Sequence, residues 1–264
     1  MTPCERAGGA VLQIHQIPVL RDNYVYLARD PDSGACAAVD PGVAGPVLAA
    51  LDALGWRLTH ILNTHHHADH VGGNIELKEA TGCTIIGHGR DASRIPGIDR
   101  GVAEGDEVAI GAETARVIEV YGHTRGHIAY WFSQSQALFC GDTLFSLGCG
   151  RLFEGRPEEM WASLSKLRAL PDDTRVFCAH EYTASNAAFA LSIDGANPAL
   201  IERAAEVRDL RARGLPTVPS TIGTERLTNP FLRADDAGLK QTIGLPSAST
   251  VEVFAQIRRH KDVF

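Results

Sequence analysis

The chain has six cysteines in 264 residues (Cys4, Cys36, Cys83, Cys140, Cys149 and Cys178) and no CxxC pair among them. That spacing is not a disulfide framework; in a chain this long it reads as reduced thiols in a cytoplasmic protein. No apolar run approaches the roughly 18 residues that a membrane-spanning helix requires, so no membrane partner is expected. The opening stretch MTPCERAGGA is small and polar, reads as a loose extension, and lacks the apolar segment of a secretory signal. Basic charge is in deficit. The 25 Lys and Arg against 32 Asp and Glu leave a net charge of −7, which weighs against nucleic acid as a partner. Internal repeats and low-complexity segments are absent too. What remains is an ordinary globular composition, 44% hydrophobic and 22% charged, in a chain long enough to bury its own core. The unusual feature is eleven histidines, and where they fall.

Up to His180 the chain alternates short β-branched runs with helical ones. Strands are expected at Val11–Val19, Asn23–Ala28, Ala35–Asp40, His60–Asn63, Thr84–Gly87, Arg116–Tyr121, Ile128–Phe132, Ala137–Cys140 and Arg175–Cys178. Several are almost wholly apolar, as strands covered on both faces are. Helical patterns at Gly45–Leu54 and Pro157–Leu170 separate them, which suggests a layered α/β core. Strand-like runs nearly vanish after Tyr182. Asn197-Pro198 starts a helix that runs to Gly214, residues 215–229 read as a loop, and a last helix is expected over about Ser249–Lys261. The division expected is a catalytic domain over residues 1–182 and a small, mainly helical substrate-binding domain over residues 183–264.

Directly after the strand His60–Asn63 stands His65-x-His67-x-Asp69-His70. Three imidazoles and a carboxylate this close are what borderline divalent metals bind. Three more candidates each follow a strand: His123 in GHT, Asp142 in GDT and His180 in AHE. Polar ligand types placed just past apolar strands are how an α/β scaffold presents a site at one edge of its sheets. The count suits two ions, with His65, His67 and His123 on one, Asp69, His70 and His180 on the other, and Asp142 bridging. Such a pair lowers the pKa of a shared water and polarises a carbonyl, so no serine or cysteine nucleophile is needed. Asp69 and Asp142 are the candidate catalytic carboxylates, Asp69 as ligand and proton acceptor alike. Zinc leads as the metal, with iron and manganese as alternatives.

The segments HHHADH, GHTRGH, CGDTLF and CAHEYT, in this order, resemble the metallo-β-lactamase superfamily, and closely its glyoxalase II (hydroxyacylglutathione hydrolase) branch. The resemblance implies a four-layer αβ/βα sandwich, a dinuclear site on the seven residues above, and hydrolysis of S-D-lactoylglutathione to glutathione and D-lactate by a metal-bridged hydroxide, in methylglyoxal detoxification. It also implies substrate contacts. Arg151 in GCGRLFEG would meet the glycine carboxylate of glutathione, with Phe153 where some members carry tyrosine. Tyr182 would contact the tripeptide backbone, and Arg258 and Lys261, sharing a helix face, would grip the same anion. A monomer is expected.

Blander roles are expected for other residues. His66 and His127 read as supporting or packing residues, Asp40 equally as a turn residue or as a carboxylate orienting a ligand, and Cys140 as core. His15, His60, His88 and His260 read as structural or surface residues. The rival functions are a mononuclear-iron glutathione persulfide dioxygenase, a lactonase or β-lactamase, a tRNA-maturing nuclease and a non-enzymatic binding protein.

Overall fold

The computed structural model describes residues 11–264; the N-terminal stretch read above as a loose extension, with Cys4, lies outside the described residues. The chain opens with the antiparallel hairpin β1 (Gln13–Val19) and β2 (Asn23–Arg29), then β3 (Cys36–Val39). It alternates through α1 (Gly45–Leu54), β4 (His60–Leu62), the single turn α2 (Ala68–Val71), α3 (Asn74–Thr81), β5 (Thr84–His88) and β6 (Arg100–Val102). These six strands form one sheet in sequence order, antiparallel up to β3 and parallel from β3 to β6.

The second half continues with β7 (Glu107–Ile110), β8 (Glu113–Glu119), β9 (Ile128–Phe132) and β10 (Ala137–Gly141). The small hairpin β11 (Leu144–Phe145) and β12 (Gly148–Cys149), then α4 (Pro157–Arg168) and β13 (Arg175–Cys178), follow. The remaining elements are α5 (Thr183–Asp194), α6 (Pro198–Ala212), β14 (Ser220–Thr221), α7 (Ile222–Thr228), α8 (Ala237–Thr242) and α9 (Thr250–Val263). The second sheet has the order β14-β13-β10-β9-β8-β7.

The two sheets face each other across an aromatic core. Tyr26 of the first sheet lies 5.6 Å from Phe139 and 5.3 Å from Phe177 of the second, ring centre to ring centre. Its buried hydroxyl donates to the Cys178 carbonyl, so a polar atom crosses between the sheets without going unpaired. On the outer face of the first sheet, Val25, Leu27, Ile61 and Ile85 pack against Val47 and Leu51 of α1 and Leu77 of α3. Met160, Leu164 and Leu167 of α4 join the main core. The result is the four-layer αβ/βα sandwich.

Helix ends follow their local signals. Asn197 accepts from the amides of Ala199 and Leu200 ahead of α6, and Ser249 with Glu252 forms a capping box on α9. The expected loop over residues 215–229 is corrected: it holds β14 and α7, with Ile222, Glu225 and Thr228 buried. Two residues are too few for alternation to register, and α7 is announced only by its cap, Thr221 accepting from the Thr224 amide. Nor does the sequence pattern mark the edge strands β6 and β7 or the helix α5; β6 and β7 are short and half exposed.

Residues past Tyr182 also build the main core: β14 extends the second sheet beside β13, and Phe231 and Phe254 are fully buried with Val253 and Ile257 in the same cluster. Burying each such side chain is worth about 1.5–3 kcal/mol. A chain ending at Tyr182 is therefore expected to lose cooperative thermal unfolding and to bind a hydrophobic dye. A single sharp transition in the truncated chain would show that the two segments fold independently.

Candidate metal centre

All seven expected ligands meet at one end of the sandwich, where strands of both sheets terminate. The first sheet delivers His65 and His67 from the turn after β4, and Asp69 and His70 from α2, which follows it at once. The second delivers His123 after β8, Asp142 after β10 and His180 after β13. The approach is close: a Cβ on Gly42 would lie 2.1 Å from the carbonyl oxygen of Asp69, so this turn packs against the β3–α1 loop only because residue 42 has no side chain. The two sheets are stitched together beside the site, the Tyr24 amide donating to the Ala179 carbonyl and the Glu181 amide to Asp22.

Hydrogen bonding fixes which ring nitrogen each imidazole presents. His70 Nδ1 lies 3.1 Å from Asp40 Oδ2, His180 Nδ1 2.9 Å from Asp22 Oδ1, and His123 Nδ1 2.9 Å from the Arg151 carbonyl. Each partner only accepts, so each Nδ1 carries a proton and each Nε2 is turned to the centre. His65 follows by one more step. Thr64 Oγ1 donates to Asp40 Oδ2 at 2.7 Å, so at 3.1 Å it can only accept from His65 Nδ1. His67 presents Nδ1 instead, 3.0 Å from His65 Nε2 and 3.1 Å from His123 Nε2.

These atoms gather into two sets, His65, His67 and His123 in one and Asp69, His70 and His180 in the other. Asp142 reaches both: Oδ2 lies 3.4 Å from His123 Nε2, while Oδ1 lies 3.3 Å from His180 Nε2 and 3.6 Å from His70 Nε2. A third grouping, Asp40 with His65 and His70, is also close enough for an ion. Its carboxylate is already engaged, by the Thr64 amide and hydroxyl and by His70, which suits orienting candidate ligands better than holding an ion. Asp40 adopts a left-handed backbone (φ 51°), a strained conformation for a residue with a side chain that those three contacts hold in place.

A divalent cation fits this arrangement. His70 Nε2 and Asp142 Oδ1 are buried and have no hydrogen-bond partner, a costly state that a cation between them would relieve. One proton on His67 Nδ1 can serve only one of its two close nitrogen neighbours well. Burial, together with neighbouring imidazoles, pushes the pKa of His65 well down and that of His67 down to about 4; burial also lowers His123. The first trio is thus neutral and ready to ligate. For His70 and His180 burial acts in the same direction, but the surrounding carboxylates together outweigh it and raise both, Asp142 with Asp40 and Asp69 at His70, Asp142 with Asp22 at His180. Burial would raise Asp142 and Asp69, yet facing imidazoles hold both carboxyls well below the usual range.

His66 points away from the centre, Nδ1 3.1 Å from Asp91 Oδ2 and Nε2 3.1 Å from Arg94. His127 stacks on His65 at 4.6 Å and accepts from the Asp142 amide at 3.1 Å, so it holds two of the candidate ligands in place. Cys140 is fully buried core, as expected. Asp22 and Asn23 were missed: the first orients His180, and the second donates to Asp69 Oδ2 at 2.9 Å. Their only signal was a polar pair at the β1–β2 turn.

A cavity of about 440 Å³ opens on His123 and Asp142 and runs along Arg151, Phe153, Tyr182, Arg258 and Lys261, so the five expected substrate contacts line one space. Tyr182 stacks on His180 at 4.7 Å, and the exposed Phe153 ring lies 5.1 Å from His123. Arg258 is less free than its helix face suggested. It is 5% exposed, donates to the Cys149 carbonyl at 2.9 Å and pairs with Asp262 at 2.9 Å. Lys261 donates to the carbonyl and hydroxyl of Ser185.

Residues 19–180 match the family described as Metallo-beta-lactamase superfamily, and residues 181–264 that described as Hydroxyacylglutathione hydrolase C-terminus. The chain is 63% identical over 255 residues to a hydroxyacylglutathione hydrolase of Rhodospirillum rubrum, covering 97% of this chain and 100% of the relative. It is 61% identical over 254 residues to that of Methylococcus capsulatus, covering 96% and 99%. Among solved structures, ETHE1 from Myxococcus xanthus superposes with a TM-score of 0.68 at 26% identity, over 94% of this chain and 90% of that one. The chain belongs to the hydroxyacylglutathione hydrolase family, within the metallo-β-lactamase superfamily.

Proposed function

We propose that this chain hydrolyses S-D-lactoylglutathione to glutathione and D-lactate, using two divalent metal ions, zinc foremost. The observation that carries the reading is the single cavity joining His123 and Asp142 to Arg151, Tyr182 and Lys261. His65, His67 and His123 would hold one ion, Asp69, His70 and His180 the other, and Asp142 both. Ions so held lower the pKa of a coordinated water and polarise a carbonyl oxygen.

The protein's own groups do the rest. Arg151 and Lys261 offer cations for the carboxylates of the tripeptide, Arg151 as a planar fork and Lys261 as a point charge. The Tyr182 phenol faces the same space, and Phe153 covers the mouth beside His67 and His123. Asp69, ionised and steadied by Asn23, is placed to take up a proton. A thiolate leaves readily, so no strong acid is required. Every residue named comes from one chain, so a monomer suffices. Five buried free cysteines suit the reducing cytoplasm proposed as its location. Among the described residues no helix is long and apolar enough to cross a membrane. A mononuclear-iron dioxygenase is not favoured, because Asp69, His70 and His180 converge as a second trio and the close relatives carry the hydrolase name.

The direct test incubates the metal-loaded protein with S-D-lactoylglutathione and follows free thiol and D-lactate. Stoichiometric release of both is expected; oxygen uptake with glutathione persulfide and no thioester cleavage would refute the reading. Asp142→Ala is expected to bind at least one ion fewer by elemental analysis and to lose nearly all activity, whereas full metal content with full activity would remove Asp142 from the bridging position. Arg151→Ala is expected to raise KM about 10- to 100-fold with kcat nearly unchanged, the size of one lost charge-assisted hydrogen bond. An unaltered KM would take Arg151 out of substrate binding.

A further inference from the structure

The hairpin β11–β12 lies between Asp142 and Arg151, and its backbone polar groups end on side chains far away in sequence. Asn186 of α5 donates to the Ser146 carbonyl at 3.0 Å. Asn229, at the end of α7, donates to the carbonyls of Phe145 at 3.1 Å and Gly148 at 2.9 Å. Glu225 of α7 accepts from the Leu147 amide at 2.8 Å, and Arg258 of α9 donates to the Cys149 carbonyl at 2.9 Å. Every residue from Phe145 to Cys149 is held in this way.

The grip is buried and tight. Glu225 and Asn229 are wholly inaccessible to solvent, and Asn229 donates to Glu225 at 2.9 Å, so the two act as a unit. Leu147 adopts a left-handed backbone (φ 59°), which a residue with a side chain avoids unless its surroundings impose it; the Glu225 contact to its amide does so. A Cβ on Gly148 would stand 2.4 Å from the Asn186 amide nitrogen, so hairpin and α5 touch with no room to spare. At both ends the hairpin runs into the centre. The Gly150 amide donates to the Thr143 carbonyl, next to Asp142, and the Arg151 carbonyl holds His123 Nδ1.

We infer that Glu225 and Asn229 are positioning residues: with Asn186 and Arg258 they clamp this hairpin and thereby set both the Asp142–His123 side of the metal centre and the Arg151 wall of the substrate cavity. The C-terminal segment thus acts on the metal site as well as on the substrate. The substrate half of the inference rests on the thioesterase reading above; the metal half does not.

The test uses the full-length, metal-loaded protein with Glu225→Ala and Asn229→Ala, at a temperature where near-ultraviolet circular dichroism shows both folded. Each is expected to release metal to a chromophoric chelator about tenfold faster and to raise KM for the thioester about tenfold, the scale set by groups that orient metal ligands from behind. Glu225→Gln keeps an oxygen for the Leu147 amide and is expected to recover most of the loss. Unchanged metal release and KM in the folded alanine variants would overturn the inference. Should both fail to fold, Asn186→Ala removes only the bond to Ser146 and carries the same test: faster release supports the clamp, unchanged release overturns it. If the wild type does not cleave the thioester, the functional reading falls while metal release still decides the clamp.

Discussion

A carboxylate buried as deeply as that of Asp142, 8% exposed, has to be met by positive charge, and both of its oxygens face imidazole nitrogens. That requirement organises the end of the sandwich. Each sheet supplies part of the answer, because the first brings His70 and the second His123 and His180 to face its two oxygens. Neither sheet alone completes a ligand set. The contact between the sheets is therefore a condition of the site as well as of the core, and Tyr26, spanning the two, serves both.

The imidazoles are prepared from behind. Asp40, Asp22, Thr64 and the Arg151 carbonyl each hold an Nδ1, so the Nε2 atoms are turned inward before any ion arrives. This preorganisation has a cost in the free protein: an orphaned His70 Nε2, an orphaned Asp142 Oδ1 and a strained Asp40 backbone. Metal binding would turn these liabilities into contacts. The C-terminal helices extend the same logic outward, holding the loop that follows Asp142 through buried side-chain bonds to its backbone.

Much of the site was legible in the sequence because its residues sit at short, regular spacings or directly after apolar strands. His65, His67, Asp69 and His70 declared themselves by spacing; His123, Asp142 and His180 by following strands. The helices α1, α6 and α9 carried their own start signals in Pro46, Asn197 and Ser249. Asp40 was ambiguous, since a carboxylate before Pro-Gly looks the same whether it makes a turn or holds a histidine. What stayed hidden depends on contacts across long separations. Asp22 meets His180, Asn23 meets Asp69, and Glu225 meets Leu147, and none of these pairs leaves a periodic trace. Arg258 was only partly legible for the same reason: helix periodicity puts it beside Lys261 but cannot show that its guanidinium also meets the Cys149 carbonyl and Asp262.

Asp142 is proposed to join the two ligand sets into a single working centre. Titrating zinc into the metal-free protein while measuring thioester hydrolysis tests it most directly. Activity is expected to climb until two equivalents are bound, one for each trio, and then level off. Full activity at one equivalent, with no further gain from a second, would contradict it.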